Sequence, residues 1–390
     1  MMKTAVVFRL GGIGDILIIT PVAKELKKRG YEVDAVFGSP TGDAAKLLEN
    51  AKLFRKIYMY RRMPQNGLDI VEMEDGDWAG IDFKKIGYDL VVDYKFAVEL
   101  NSHWKQMANG PGKEWFVSQN SNYMNWCDIM LAWAGIDPTT VMDEDKIPVY
   151  IMEPDEEAWA RKLLWNNKPD IVVSIQTNAS SLVRTWYHPQ RLPEEIKREY
   201  PDKVVNFVVF DGEAWHHLKG KHDFPVVIPK DMDPIRASAA LVGVSSVFIG
   251  ADSGFSHIAE ALKVPSVGIF TTVPAWTRTK YYKYAKTIEP IGDTFSGVQC
   301  RPCFVLDRFC PRIREEAFKK LSPRESELRG YVESNLHPSI AAQKLNTTPQ
   351  GIMMEAKNLT DRYNALLEMQ APCAETITPG RIIEKMREIL

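Results

Sequence analysis

The chain has 390 residues, 45% of them hydrophobic and 26% charged, with a formal net charge of −2. That length suits two domains with separate cores, and the near-neutral charge excludes whole-surface attraction to nucleic acid, leaving room only for a local patch. No apolar run reaches the roughly 18 residues of a membrane span, and the start lacks the apolar stretch and cleavage site of a signal peptide, so a cytoplasmic protein is expected. Five cysteines do not make a disulfide scaffold in a chain this long.

Residues 4–10 read as an apolar strand, and Gly11-Gly12-Ile13-Gly14-Asp15 as a tight turn. Ile16, Ile19, Val22, Ala23 and Leu26 then recur at helical spacing, Gly30 closes the helix, and residues 31–37 form the next strand. A dinucleotide fingerprint starting at Gly12 would need glycine where Leu17 stands. The glycines are therefore read as letting a substrate approach the backbone. Asp15 has two compatible readings: an N-cap of the helix, or a carboxylate at the mouth of an interdomain cleft, placed to take a proton from an attacking hydroxyl. Residues 53–60 and 88–93 read as strands, and residues 61–85 as a polar surface insertion. Residues 101–121, with Trp104 and Trp115, suit a loop over the cleft whose aromatics either stack on an acceptor or pack in the core. A helix is expected over 123–134, with Cys127 in its core face, and a domain boundary within 139–155.

The second half repeats the βα order. Residues 170–176 are a strand, followed by a hydroxyl-rich turn from Thr177. Arg184-Thr185-Trp186 suits a diphosphate through bidentate guanidinium pairing, or sets an arginine on Trp186 in a surface corner. Glu213, just past the strand 204–210, either accepts ribose hydroxyls or starts a solvated helix. A short strand at 225–228 and a helix over 235–242 lead to the strand Val247-Phe248-Ile249. At its carboxyl end lies Asp252-Ser253-Gly254-Phe255-Ser256-His257, then a helix, Pro265 and a strand over 266–270. Open α/β sheets bind ligands at such strand ends, and helix N-termini favour phosphate. A carboxylate beside a diphosphate repels it. Asp252 is thus expected to cap its helix or bond a sugar hydroxyl, leaving Ser253, Gly254 and the backbone to hold phosphate.

Two features lie outside this pattern. Residues 337–359 resemble a helix-turn-helix with Asn346-Thr347-Thr348 as the turn; Leu345, Ile352 and Leu359 face inward. The second helix offers little basic charge, so a helical packing module and a nucleic-acid contact both stay open. Cys300-x-x-Cys303, Cys310 and Cys373 are either a four-thiolate structural zinc site or free thiols.

Several motifs in order resemble glycosyltransferase family 9, the ADP-heptose–lipopolysaccharide heptosyltransferases. They are Arg9-Leu-Gly-Gly-Ile-Gly-Asp15, residues 88–93, Arg184-Thr-Trp186, Gly250-Ala-Asp252-Ser253-Gly254-Phe-Ser256-His257, the cysteine cluster and residues 377–384. The resemblance implies an α/β GT-B fold of two Rossmann-like domains. Residues 1–150 would form the acceptor side and 151–310 the nucleotide-sugar side, with a helical insertion at 311–372 and a terminal helix at 373–390. It implies an inverting, metal-independent transfer from a nucleotide-diphosphate sugar with no cofactor required. Asp15 would be the general base, and Gly12, Gly14, Thr177, Arg184, Glu213, Asp252, Ser253, Gly254 and His257 the donor-binding residues. The chain departs from the family at Thr271-Thr272-Val273-Pro274, where Gly-Pro-Thr is common, and in the long insertion. The acceptor stays open between glycan, lipid-linked and nucleic-acid hydroxyls. Three other readings remain: the same chemistry on a modified base, docked by the insertion; a sugar-nucleotide epimerase; and a DNA-binding sensor without catalysis.

Overall fold

The apolar runs expected as strands form two separate parallel sheets in the computed structural model. It describes residues 2–38, 44–60, 77–78, 81–82, 87–94, 125–179, 184–186, 191–210, 229–230, 232–292, 294–295, 298–299, 321–333, 343, 345–367 and 372–390. The N-terminal half runs β1 (Lys3–Leu10), α1 (Ile13–Leu17), α2 (Thr20–Lys28), β2 (Tyr31–Gly38), β3 (Ile57–Tyr60), β4 (Leu90–Asp93) and α3 (Trp126–Trp133). Its sheet order is β3-β2-β1-β4, all parallel. The helix expected from Ile16 to Leu26 is broken in two for an identifiable reason. Pro21 has no N–H to continue the ladder, and the Thr20 hydroxyl donates to Leu17 O (2.6 Å) in its stead while accepting from Val149 N (2.8 Å).

The C-terminal half adds α4 (Pro154–Leu164), β5 (Ile171–Gln176), α5 (Leu192–Glu199), β6 (Val205–Val209), α6 (Pro234–Gly243), β7 (Val247–Ala251), α7 (Gly254–Ala261), β8 (Ser266–Ile269), α8 (Trp276–Thr279) and β9 (Ala285–Ile288). Its sheet order is β9-β8-β7-β5-β6, again parallel. Strands β5 to β8 are buried on both faces, as crossover helices require, while the edge strand β9 is partly exposed. One apolar core spans the N-terminal sheet and one face of the second sheet, including Val172, Phe248 and Phe255. The other face of the second sheet packs under α5 and α11 (Pro379–Arg387) through Ile175, Ile196, Ile382 and Met386. The short strand expected at 225–228 lies outside the described residues.

Trp186 is fully buried in that second core, and its Nε1 donates to Ile377 O at 2.8 Å. It is thus a core anchor, fixing the chain just after Arg184. Trp186→Ala should cost about 3–5 kcal/mol in urea unfolding; a loss below about 1 kcal/mol would mean that the corner repacks.

In the insertion, α9 (Pro323–Glu333) packs on α10 (Pro349–Leu367) through Leu328, Leu345 and Ile352. Arg324 forks onto Glu355, with Nη2 to Oε1 at 2.9 Å and Nε to Oε2 at 3.1 Å. Residues 334–342, which the helix-turn-helix expectation needs, lie outside the described residues. No helix among the described residues is long and apolar enough to cross a membrane.

Candidate active site

Each sheet has a point where the strand order reverses, the usual ligand crevice of such folds. In the first sheet it falls between β1 and β4. There Arg9, fully buried at the end of β1, donates from Nη1 to Tyr94 O (2.9 Å) and pairs through Nη2 with Asp15. Gly11 turns the chain at φ +139°, a backbone region that side chains rarely tolerate, and its N–H donates to Gly38 O at 2.8 Å. Asp15 is not the N-cap expected of it. Gly12 holds that position, and Asp15, three residues on, reaches back to accept the Gly12 N–H at 2.8 Å. An N-cap aspartate would point its carboxylate into its own helix. From the third position it is fixed between Gly12 N–H and Arg9, with its side chain still 21% exposed.

In the second sheet the reversal lies between β5 and β7, where Gln176 sits beside Gly250. Thr177 is buried and its carbonyl accepts Trp186 N–H at 3.0 Å. Ser253 is the N-cap residue of α7, but its hydroxyl donates to Gln176 Oε1 (2.6 Å) and does not cap the helix. Of the two roles expected of Asp252, capping α7 or bonding a sugar hydroxyl, the first is overturned, since Ser253 holds the N-cap position. The buried Asp252 carboxylate lies 3.3 Å from Arg184 Nη1 and 3.8 Å from Arg278 Nε. Burial pushes the Asp252 carboxyl up, yet Arg278 and Arg184, with His257, hold it below its ordinary range. Two guanidiniums around one carboxylate leave a net positive charge, which suits an anionic ligand. Arg278 also stacks on Trp126, its guanidinium carbon 3.0 Å from the ring centroid. Its buried Nε makes no hydrogen bond among the described residues. Burial pulls the Arg278 guanidinium down to about 9, so it stays charged at neutral pH.

The two crevices meet. A Cβ on Gly254 would lie 2.5 Å from Ile13 Cγ2 and 2.9 Å from Gly14 N, and one on Gly14 would lie 3.2 Å from His257 Cδ2. Glycine at both positions is what lets α1 and α7 touch. His257 is buried with Nδ1 on the Tyr282 hydroxyl. Burial pulls the His257 imidazole down to about 4 against the upward pull of Asp252 and Asp15, so the ring is neutral near pH 7. Beside it a cavity of about 10 Å³, space for about one water, lies between Trp126 and Lys146 on one side and His257, Arg278 and Tyr282 on the other. Polar bonds join the two halves around it. Tyr281 OH donates to Asp128, whose Oδ2 is 2.6 Å away, and accepts from Lys146 Nζ at 3.0 Å, and Asn125 Nδ2 donates to Trp276 O at 3.1 Å.

Glu213, Cys300, Cys303 and Cys310, and the side chain of Cys373, lie outside the described residues. Among the described residues no group of three or more His, Cys, Asp or Glu could hold a metal ion. The sequence contains Asp-x-Asp spacings at 75–77, 143–145 and 231–233; Asp145 pairs with Lys24 and Lys28 and Asp233 with Lys46, while Asp75, Asp231 and the side chain of Asp77 lie outside the described residues. Cys127 is a free, buried thiol in the core, as expected. Gln176, Arg278 and Tyr282 join the site without having been singled out from sequence, and so does Arg9, which stands in the N-terminal motif without a role assigned to it. Of these only Arg9 carries a local signal, a charge inside an apolar strand, which burial obliges to find a partner.

No curated protein matches the chain. Residues 232–306, which include α6, β7, α7 and the 271–274 departure, match the family model of glycosyltransferase family 9 (heptosyltransferase). The solved family 9 glycosyl transferase of Veillonella parvula DSM 2008 superposes with a TM-score of 0.52 at 14% identity, over 75% of this chain and 89% of that one. The E. coli ADP-heptose LPS heptosyltransferase II gives 0.48 at 15% identity, over 81% and 97% of the two chains. The two facing parallel sheets are those of the GT-B glycosyltransferase fold.

Proposed function

Taking as premise a glycosyltransferase family 9 segment set in a GT-B fold, we propose that this chain moves a heptose-like or other sugar from a nucleotide-diphosphate donor to an acceptor hydroxyl, with inversion. The observation that carries the reading is the convergence at the Gly14–Gly254 contact. It brings Asp15 from one sheet's reversal point to the Arg184, Asp252 and His257 group at the other's. In the step, the acceptor oxygen bonds to the sugar's anomeric carbon from the face opposite the donor diphosphate. Its proton passes to Asp15, whose carboxylate is held in place by Arg9 and the Gly12 N–H. The bond from the anomeric carbon to the diphosphate breaks, and the electron pair leaves with the diphosphate. Arg184, Arg278 and the N–H groups at the start of α7 stabilise that charge as it develops. Asp252, between the two guanidiniums, keeps them oriented.

This assigns charge neutralisation to the chain's own cations. A zinc held by Cys300, Cys303, Cys310 and Cys373 would serve the fold and not the transfer step, and metal analysis of the purified protein tests for it. A glycan hydroxyl is the acceptor we favour, since the described side chains of α9 and α10 supply no basic face: Arg324 is paired with Glu355.

Nucleotide release from ADP-heptose and other nucleotide-diphosphate sugars, with the anomeric configuration of the product read by NMR, tests the proposal. Binding of a donor with no release alongside any acceptor would end it. Arg184→Ala should weaken donor binding about 10- to 100-fold, the loss of one charge-assisted hydrogen bond. Unchanged binding by calorimetry would remove Arg184 from the diphosphate site.

A further inference from the structure

Tyr282 belongs to no motif, and the step above does not use it. Its ring meets His257 edge to face, with centroids 5.9 Å apart and planes at 88°, and its hydroxyl lies on His257 Nδ1. Among the described residues that nitrogen is the hydroxyl's one hydrogen-bond partner. The bond can in principle run either way, so its direction has to come from the surrounding network. A phenol carries one O–H, and a buried donor left unspent costs its full desolvation. With Nδ1 the one acceptor in reach among the described residues, the phenol donates and Nδ1 accepts. A neutral imidazole then carries its single proton on the other nitrogen.

We propose that Tyr282 is a positioning residue that fixes His257 as the Nε2–H tautomer, so that the ring offers the cleft one hydrogen-bond donor and no base. The Nε2 edge faces the glycine turn of the opposite half: a Cβ on Gly14 would lie 3.4 Å from Nε2. Asp15 follows in the next position of that turn. The site then sets a carboxylate that only accepts against an imidazole that only donates. His257 can bond a sugar or phosphate oxygen but cannot take the acceptor's proton, which leaves that task to Asp15. Burial supports the assignment, since it keeps the ring from taking a second proton near neutral pH. Burial also pushes the Tyr282 phenol far up, so it keeps its proton to give. The tyrosine is itself held from both sides. Tyr282 N–H donates to Thr279 O at 2.8 Å, and the neighbouring Tyr281 hydroxyl is tied to Asp128 on α3.

The catalytic consequence rests on the transferase reading; the tautomer does not, and the test separates them. Full-length protein labelled with ¹⁵N-histidine reports the protonation of each ring nitrogen by NMR. His257→Gln identifies which of the seven histidines gives the signal. The expected spectrum has Nδ1 bare and Nε2 protonated. In Tyr282→Phe the second tautomer gains population, turnover falls about tenfold and the donor KM changes by less than about twofold, as for one lost hydrogen bond that positions but does not bind. A wild-type signal with Nδ1 protonated, or averaged between tautomers, overturns the proposal, and this needs no variant to fold. An unchanged tautomer at full turnover in Tyr282→Phe overturns it as well. A bare Nδ1 in a protein that transfers no sugar upholds the tautomer and removes the transferase reading.

Discussion

Gly254→Ala is expected to leave the protein folded and to cut turnover about a hundredfold. The new methyl would sit 2.5 Å from Ile13 Cγ2, 2.6 Å from Ile13 Cβ and 2.9 Å from the Gly14 backbone nitrogen. The side chain of Ile13 can turn aside, but the Gly14 backbone cannot. The two halves must therefore part by about 1 Å, and a misplacement of that size typically costs about 10²-fold in rate. Stability should also fall, by about 1–3 kcal/mol, because the strain falls where one apolar core runs from the N-terminal sheet to the second. Trimming the obstacle with Ile13→Ala in the same chain should recover part of the rate, and Gly14 N should limit the recovery. Thermal unfolding and kcat at saturating donor and acceptor are the measurements. Wild-type turnover in Gly254→Ala would show that the halves need not meet for transfer.

The second large effect is expected at Asp15. Asp15→Asn removes the proton acceptor while keeping the size of the side chain, and turnover should fall about 10²- to 10⁴-fold. Donor affinity should stay within about threefold, because Arg184 and Arg278 carry the diphosphate contacts. The structure adds a second consequence. Arg9 is fully buried and pairs with Asp15, so the amide removes a counter-ion from a buried guanidinium. The partly exposed position of Asp15 moderates the cost to about 2 kcal/mol. A fall in unfolding free energy alongside intact donor binding is therefore the expected pair of results. Loss of donor binding would instead place Asp15 in the donor pocket.

The order of the fold was legible because its signals are local. Apolar runs bounded by glycine and proline mark the strands, and each cluster of polar residues falls at a strand's carboxyl end. Asp15, Arg184 and Asp252 to His257 could be placed on facing turns for that reason. The roles inside the cluster were less legible. Asp252 looked like a helix cap because capping is a local habit of aspartate, but the structure gives the carboxylate two guanidiniums, and one comes from Arg278, 26 positions later. Pairings between distant positions leave no mark in spacing, so Arg278, Tyr282 and Gln176 could not be found from it. Asp15 shows the same limit on a smaller scale: its neighbours suggest a cap, and only Arg9, brought back by the end of β1, reveals a clamped carboxylate.

The bond from Trp186 to Ile377 bears on how the protein is made. The face of the second sheet that it closes opens with β5 at Ile171 and is completed by α11 from Pro379, about two hundred residues later. Contacts so far apart in sequence form slowly. A chain emerging from the ribosome can finish its first sheet early, while the strand that leads to Arg184 waits with an open apolar face for α11. The C-terminal half is then the last to become competent, and until α11 docks, the exposed Ile175 and Ile196 surface is what a chaperone would meet.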